Sequence, residues 1–358
     1  MTGPEASTAA PDDEHLLAAM RRALVLAATP GVPLGPNPRV GCVLLDDAGV
    51  TIAEGHHRGA GTPHAEVDAL RAAGERARGA TAVVTLEPCD HTGRTGPCSR
   101  ALVEAGVRSV VFAQPDPNPQ ATGGADTLRA AGVEVRGGLL AEESEQVNRV
   151  WSAAMRLQRP FVTWKAAATL DARTAAADGS SRWISNAASR REVHRLRAEV
   201  DAVLVGAGTL LADDPALTVR DHAGRPVGRQ PLRAVMGERP IPAGARLLAP
   251  VDGAEPALHL ATRDPHEALA ALWGRERRHV LLEGGATLAA AFLAAGLVDE
   301  IVLYLAPLLL GAGPSLVGDL GITGLAAALP LRIRDLALVG DDAEPPNVRL
   351  VLEPRKES

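Results

Sequence analysis

The amino-acid sequence predicts an α/β protein with two domains, and three observations support this. The chain has 358 residues, more than one hydrophobic core usually serves. Strand-like runs alternate with amphipathic helical stretches in both halves, as in βαβ units. Hydrophobic residues make up 46% of the sequence and charged residues 22%, near the values of ordinary globular proteins. We therefore expect two folded α/β domains.

The sequence divides into a tail, two domains and a connector. Residues 1–13 lack the basic start and apolar run of a signal peptide and are predicted to be a disordered tail. The first domain is placed at 14–145, a helical connector at 146–160 and the second domain at 161–358. Strands are predicted at 40–45, 82–86, 109–112, 161–166, 202–205, 232–236, 279–282, 300–305 and 348–352, and helices at 15–28, 66–77 and 99–105.

Charge and composition restrict the class of partner. The formal net charge is -6, and no dense run of Lys and Arg follows the pattern of a nucleic-acid-binding surface. No apolar stretch reaches the 18 residues of a membrane span. Three cysteines are too few for a disulfide framework, which favours the reducing cytoplasm. The apolar run 301–310 would suit a strand buried at a subunit contact, so a homo-oligomer is expected.

Three residues have the character of zinc ligands. His64 is followed by Cys89 and Cys98, and imidazole and thiolate groups are ligands that zinc prefers. Three protein ligands leave one position for water, which is typical of a catalytic site. Glu66, two residues after His64 and near a predicted helix start, can lie beside that water and carry protons, as in zinc nucleobase deaminases.

Two features of this motif leave alternatives open. A closed structural zinc site would need a fourth ligand, for which His91 is available. Eight residues, 90–97, separate the two cysteines, where many deaminases have two. This insertion contains Gly93, Arg94 and Thr95 and either contacts a substrate larger than a bare base or is only a surface loop.

The zinc motif and the sequence around it resemble the bifunctional deaminase-reductase family of riboflavin biosynthesis. The resemblance extends over residues 15–355. In the first half it comprises five blocks in order: 36–43 (PNPRVGCV), 61–67 (GTPHAEV), 85–89 (TLEPC), 91–95 (HTGRT) and 116–119 (DPNP).

This resemblance implies a three-layer fold similar to cytidine deaminase in the first domain. It implies zinc at the three ligands, Glu66 as the proton carrier, and a phosphorylated pyrimidine as substrate. Residues near that substrate would be Asn37, His56, Asp116 and Asn118.

The second half resembles the family's reductase domain, whose fold is similar to dihydrofolate reductase and whose cofactor is NADPH. Residues implied to contact the cofactor are Ala168, Trp183, Thr209, Asp213, Gly285, Ala286, Thr287, Leu288, Ala289, Ala290 and Ala291. Residues implied to hold the substrate are Ser181, Arg197, Leu217, Arg220 and Glu283.

The residues of the second half indicate less by themselves. Gly284 and Gly285 end a predicted strand and open a helix, whose N-terminal amides would suit a cofactor phosphate, although an ordinary turn has the same pattern. No general acid is evident, and the preference for NADPH over NADH comes from the resemblance alone.

The resemblance therefore implies deamination of 2,5-diamino-6-ribosylamino-4(3H)-pyrimidinone 5′-phosphate, followed by reduction of its ribosyl chain to ribityl. The alternatives are a nucleoside or tRNA deaminase with an appended domain, and a zinc-binding module without activity. The cysteine spacing and the acidic net charge argue against the first alternative. Retention of zinc with loss of deamination in a Glu66→Gln variant would exclude the second.

Overall fold

In the computed structural model, which describes residues 13–33, 35–92, 96–341 and 344–355, the first half of the chain surrounds a five-stranded sheet. Its order is β2-β1-β3-β4-β5, with β1 antiparallel to β2 and β3 and the last three strands parallel. The elements are α1 (Asp13–Ala27), β1 (Gly41–Leu45), β2 (Thr51–His56), α2 (Ala65–Ala73), β3 (Thr81–Leu86), α3 (Cys98–Ala105), β4 (Ser109–Gln114), α4 (Gly124–Ala130), β5 (Glu134–Gly137), α5 (Ala141–Val147) and α6 (Arg149–Leu157).

The central strands of this sheet are buried because helices cover both faces. Every residue of β1, β3 and β4 is buried, as their continuous apolar sequences predict. Met20 of α1 packs with Val43 and Val83 on one face, while α2 contacts β1 and β2. Gly55 allows the close approach of α2, because a Cβ atom there would lie 2.3 Å from the Ala65 carbonyl oxygen. This packing fixes the helix end that carries Glu66.

The second half of the chain contains an eight-stranded sheet of order β12-β13-β11-β6-β10-β7-β8-β9. The six strands from β11 to β9 are parallel, and β13 is antiparallel to both of its neighbours. The elements are β6 (Phe161–Thr169), α7 (Ala187–Glu199), β7 (Ala202–Gly206), α8 (Ala207–Asp213), β8 (Leu232–Met236), β9 (Leu258–Leu260), α9 (Pro265–Trp273), β10 (His279–Leu282), α10 (Ala286–Ala294), β11 (Glu300–Ala306), β12 (Leu331–Asp341) and β13 (Glu344–Pro354).

Apolar clusters cover both faces of the parallel strands. Leu204 and Leu282 belong to one cluster, and Val203 and Leu281 to the other. Successive residues of a strand point to opposite faces, so a parallel strand covered on both sides has a continuous apolar sequence. Lys165 in β6 departs from this pattern.

Two compact units, Met1–Gln158 and Arg159–Ser358, divide the chain, and both have the expected α/β class. Residues 1–12 of the predicted tail lie outside the described residues, and Asp13 already belongs to α1. The exact limits proposed for the tail, the domains and the connector stay predictions. Within the described ranges, no helix has both the length and the apolar character needed to cross a membrane.

Several elements differ from their predictions. The helix predicted at 66–77 ends at Ala73, where Gly74 adopts a φ of 58°, and a 3-10 turn continues to Ala77. The strand expected at a subunit contact is β11, which instead lies between β13 and β6 inside the sheet. Burial within its own unit therefore explains the apolar residues up to Ala306, whereas Leu308, Leu309 and Leu310 at the end of the predicted run are exposed. The sequence interpretation missed β2, β9 and β12.

Candidate active sites

Three donor atoms converge in the first unit. One ligand atom each from His64, Cys89 and Cys98 lies within 4.8 Å of the other two. His64 Nδ1 is 3.3 Å from Cys98 Sγ and 3.6 Å from Cys89 Sγ. A tetrahedral zinc ion with bonds of about 2.0 Å to nitrogen and 2.3 Å to sulfur separates such ligands by about 3.5 Å. The donor set therefore fits zinc in both chemistry and spacing.

The ligands are positioned by the ends of three elements. His64 immediately precedes α2, Cys89 follows β3, and Cys98 is the first residue of α3. The Ser99 amide donates a hydrogen bond to the Cys89 carbonyl at 3.2 Å, which holds the two cysteine segments together. Hydrogen bonds from Cys98 and from His64 lower the pKa of Cys89, and the Cys89 thiolate in turn raises the pKa of Cys98, so the pair holds one thiolate more readily than two.

Glu66 faces this cluster from the first turn of α2. Its side chain is buried, with 4% of the residue exposed. Burial raises its pKa to about 7, and the nearby Cys89 thiolate adds to the shift. A carboxyl group whose pKa lies near neutrality can both accept and release a proton. Glu66 therefore has the placement and the acidity of a proton carrier.

His57, rather than the predicted His56, lies beside the ligands. The His57 ring packs edge-on against His64, with ring centroids 5.3 Å apart, and its Nε2 is 3.0 Å from Asn37 Nδ2. The backbone amide of His56 instead donates to Asp68. Successive residues of an extended segment point to opposite sides, so a displacement of one position selects the wrong face. The hydrogen bond between Asn37 and His57 therefore holds Asn37 near the ligands.

The other two predicted substrate residues occupy one loop after β4. Burial raises the pKa of Asp116 to about 7. Its Oδ1 accepts a hydrogen bond from the Asn118 amide at 2.8 Å. The Asn118 side chain in turn accepts from the Gln120 amide, so part of its capacity is used within the loop. Glu87, whose carboxylate accepts from the Asp116 and Ala125 amides, anchors this loop.

The cysteine insertion contributes no fourth ligand within the described residues. His91 is absent from the cluster of potential ligands, so the closed structural zinc site has no support there. Residues 93–95, for which the sequence suggested a substrate contact, lie outside the described residues.

A cleft of about 880 Å³ opens in the second unit along the ends of its parallel strands. Its volume is in the range of cofactor sites. The α10 N-terminus, at Gly285, faces into it. The predicted cofactor residues that line it are Thr209, Asp213, Gly285, Ala286, Thr287, Leu288 and Ala291.

Four predicted cofactor residues do not line this cleft. Ala168, Ala289 and Ala290 are buried. In β6 the residues that line the cleft end at Ala167, and Ala168 is the next residue along the strand. In α10 the helical period turns 289 and 290 toward the core. Trp183 lines a neighbouring cleft instead, where its ring centroid lies 4.6 Å from the Arg190 guanidinium.

This neighbouring cleft, of about 580 Å³, contains all the predicted substrate residues of the second unit. It shares Lys165, Ser181 and Glu283 with the larger cleft, so the two are continuous. Besides Lys165, its lining contains Arg182, Arg190, Arg197, Arg220 and Arg246.

A buried ion pair lies where the two clefts meet. Arg197 Nε is 2.6 Å from Glu283 Oε1, and Arg197 Nη2 is 2.9 Å from Glu283 Oε2. Burial alone would raise the pKa of Glu283, but the charge and hydrogen bonds of Arg197 outweigh this effect and hold the pKa below its usual value. Both groups are therefore charged at neutral pH.

Lys165 is the functional candidate that the sequence interpretation missed. It lines both clefts, and the pairing of Trp164 with Leu282 brings it beside Glu283. Burial lowers the pKa of its ammonium group, an effect that Glu283 opposes and Arg197 reinforces. The available signal was a single charged residue within the apolar strand FVTWKAAAT.

Comparisons with known proteins match each half of the chain to a known domain family. Residues 13–114 match the cytidine and deoxycytidylate deaminase zinc-binding region, and residues 160–343 match the RibD C-terminal domain. The riboflavin biosynthesis protein RibD of Mycobacterium tuberculosis is 49% identical over 86% of this chain and 89% of its own length. RibD of Escherichia coli K12 is 41% identical over 92% of this chain and 97% of its own.

Solved structures of the same architecture extend over nearly the whole chain. RibD of Acinetobacter baumannii matches with a TM-score of 0.85 and 38% identity, covering 96% of this chain and 99% of its own. A Thermotoga maritima protein, described as a diaminohydroxyphosphoribosylaminopyrimidine deaminase/5-amino-6-(5-phosphoribosylamino)uracil reductase, matches with a TM-score of 0.80 and 31% identity over the same shares. The chain thus belongs to the RibD family, the bifunctional enzymes of riboflavin biosynthesis that join a zinc-dependent deaminase to an NADPH-dependent reductase.

Proposed function

We propose that this enzyme acts twice on one phosphorylated pyrimidine. The first unit removes the ring 2-amino group of 2,5-diamino-6-ribosylamino-4(3H)-pyrimidinone 5′-phosphate by hydrolysis. The second unit reduces the ribosyl side chain of the product to a ribityl chain. The observation that carries the proposal is the placement of buried Glu66 beside the His64, Cys89 and Cys98 cluster. The activities in the description of the Thermotoga maritima relative support the choice of substrate.

In the deaminase unit, Glu66 moves the protons. His64, Cys89 and Cys98 would hold the zinc ion, which would supply a water molecule of lowered pKa. Hydrolysis adds the oxygen of that water to the ring carbon and releases ammonia, so one proton must pass from the water to the leaving amine. Glu66, with a pKa of about 7, accepts that proton and returns it. Asn37 and Asp116, which have hydrogen-bonding groups beside the same site, orient the pyrimidine.

In the reductase unit, Lys165 is the proton donor. Bound NADPH supplies a hydride to the ribosyl carbon, and a proton must reach the heteroatom whose bond to that carbon is reduced. Lys165 lines both the cofactor cleft and the substrate cleft. The lowered pKa of its ammonium group favours proton release. Glu283, beside it, is available to orient the ribosyl hydroxyls.

The arginines of the smaller cleft bind the substrate phosphate. Burial lowers the pKa of Arg220, and the neighbouring charges of Arg246 and Arg197 lower it further. Because Glu283 already compensates Arg197, Arg220 and Arg246 contribute an excess of positive charge. A phosphate group compensates such charges, and guanidinium groups bind it with paired hydrogen bonds.

A coupled assay tests the proposal. Zinc-loaded enzyme should release ammonia from the diaminopyrimidine phosphate, and NADPH should be consumed only after ammonia appears. Cytidine and adenosine should release none. Ammonia release from a nucleoside, with none from the diaminopyrimidine phosphate, would instead support the nucleoside deaminase.

We further propose a cytoplasmic homo-oligomer. The three cysteines are free, which suits a reducing compartment. The edge strand β12 exposes Ile333, Leu336 and Leu338, and a row of large apolar side chains on a sheet edge favours association. Sedimentation should show a species larger than one chain, and an L336E/L338E variant should reduce it to the monomer. A monomeric wild-type protein at micromolar concentration would contradict this.

A further inference from the structure

The far end of the cofactor cleft has its own charged residues. Lys165, Ser181 and Glu283 belong to both clefts, whereas Glu238 and Arg263 line the cofactor cleft alone. Arg239 and Thr262 also line this part only. The four residues follow β8 and β9, at the edge of the sheet. Because Lys165 is the proposed proton donor, the nicotinamide end of the cofactor is placed beside it. The adenosine end is then placed at the loops after β8 and β9.

The strand order supports this direction. From β6, which carries Lys165, the sheet passes through β10, β7 and β8 to β9. Four strand spacings of about 4.8 Å separate β6 from β9 by roughly 19 Å, a length that suits an extended dinucleotide. The N-terminus of α10, after β10, lies between the two ends, where the phosphates that join the two nucleosides would be placed.

The charges at the far end favour a phosphate over a free hydroxyl. In Rossmann folds an acidic residue beside the adenosine ribose binds the 2′-hydroxyl of NADH, whereas an arginine accommodates the 2′-phosphate of NADPH, and the same chemistry applies to any site for this ribose. Here Glu238 is already paired, with its Oε2 2.9 Å from Arg263 Nη2. Arg239 is exposed and has no recorded ion pair or hydrogen bond within the described residues. One positive charge is therefore left uncompensated.

We propose that Arg239 binds the 2′-phosphate of NADPH and that the Arg263–Glu238 pair prevents Glu238 from favouring NADH. The inference rests on the proposed reductase function and assigns its cofactor preference to three residues. The sequence alone did not disclose this preference because Glu238 and Arg263 are 25 positions apart.

Cofactor binding by the full-length, zinc-loaded enzyme tests the proposal without turnover. Dissociation constants for NADPH and NADH are measured from the fluorescence of the reduced nicotinamide. The R239Q variant should bind NADPH about 10- to 100-fold more weakly, because it loses a charged hydrogen bond. Its affinity for NADH should change less than about twofold. The R263Q variant should weaken NADPH binding and strengthen NADH binding, because it releases Glu238.

Two controls separate this subsite from general effects. The matched variant R275Q changes an exposed arginine after α9, outside the residues that line the cleft, and should leave both affinities unchanged. On the wild-type enzyme 2′,5′-ADP should displace NADPH at lower concentration than 5′-AMP does. R239Q should remove that advantage, since only the 2′-phosphate distinguishes the two competitors.

The possible failures are distinguishable. Equal weakening of NADPH and NADH in R239Q, or no change in either, overturns the 2′-phosphate assignment while the reductase function stands. A wild-type enzyme that binds neither nucleotide contradicts the reductase function itself.

Discussion

The deaminase unit and the reductase unit hold their reactive groups in different ways. In the first, three ligands and one acid lie between positions 64 and 98 and converge on one point. In the second, the lining of the cofactor cleft extends from Trp164 to Leu316, and nearly half of its residues are glycine or alanine. A metal ion requires particular donor atoms at fixed distances, whereas a nucleotide cofactor requires mainly a cleft of suitable size and shape, which many residue types can form. The first requirement constrains residue types strongly, and the second does not.

The strongest test of this difference is Glu66→Gln. Ammonia release should fall about 1000-fold or more, because the variant loses its proton carrier, while zinc content and NADPH affinity stay unchanged. Zinc is measured by elemental analysis and ammonia by a coupled assay. The matched variant Glu75→Gln, on the exposed surface of the same unit, should retain full activity. A fully active Glu66→Gln enzyme would contradict the assigned role.

In the reductase unit, Arg197→Met should have the largest effect on stability. Loss of one partner of a buried ion pair leaves Glu283 without its hydrogen-bonded counter-charge and should lower the free energy of unfolding by about 3–5 kcal/mol. Chemical denaturation measures this change. Replacing the exposed Arg225, which pairs with Asp221, by Met should cost about 1 kcal/mol or less. If Arg197→Met and Arg197→Met/Glu283→Leu are equally unstable, the loss does not come from the unpaired carboxylate.

Lys165→Met tests whether the reductase also depends on a single acid. The rate constant of the reduction step should fall about 100-fold, and NADPH affinity should change little. Lys165→Arg is the sharper comparison, because arginine keeps the charge but does not release a proton near neutral pH. Single-turnover kinetics should show both variants equally slow. Recovery of the rate in Lys165→Arg would mean that charge alone matters.

A smaller effect is expected when packing beside the zinc site changes. A Cβ atom at Gly124, the first residue of α4, would lie 1.7 Å from the Pro88 carbonyl oxygen, next to Cys89. Gly124→Ala must therefore displace the Cys89 loop, and zinc affinity should fall about tenfold, as when groups supporting metal ligands change. Gly96→Ala, whose Cβ would meet nothing within 4 Å, is the control. Equal zinc affinities in a chelator competition would contradict this.

The strand predictions were accurate where both faces of the strand are buried. The bounds of β8 and β10 are those predicted, because both strands are buried on two faces and have uninterrupted apolar sequences. The missed β2 and β12 are edge strands with mixed sequences, TIAEGH and LRIRDLALVGD. Such strands are defined by their neighbours more than by their own residues.

The predictions for individual site residues show the same limit. The zinc ligands and Glu66 were identified because few residue types bind zinc or carry protons in this spacing. His56 was chosen over His57 because the sequence does not indicate which of two adjacent residues faces inward. Lys165 was missed because its partner Glu283 is 118 positions away.

The sequence by itself determined the metal chemistry of this protein and the alternating α/β architecture. Both depend on local information, since ligand types, short spacings and apolar periods are written within a few tens of residues. Only the tertiary structure decided which side chains meet across the sheet. Lys165 and Glu283 become neighbours because β6 and β10 pair in parallel, and Arg263 meets Glu238 because the loops after β8 and β9 adjoin. Strand order and register set those distances, and no short stretch of the chain encodes them.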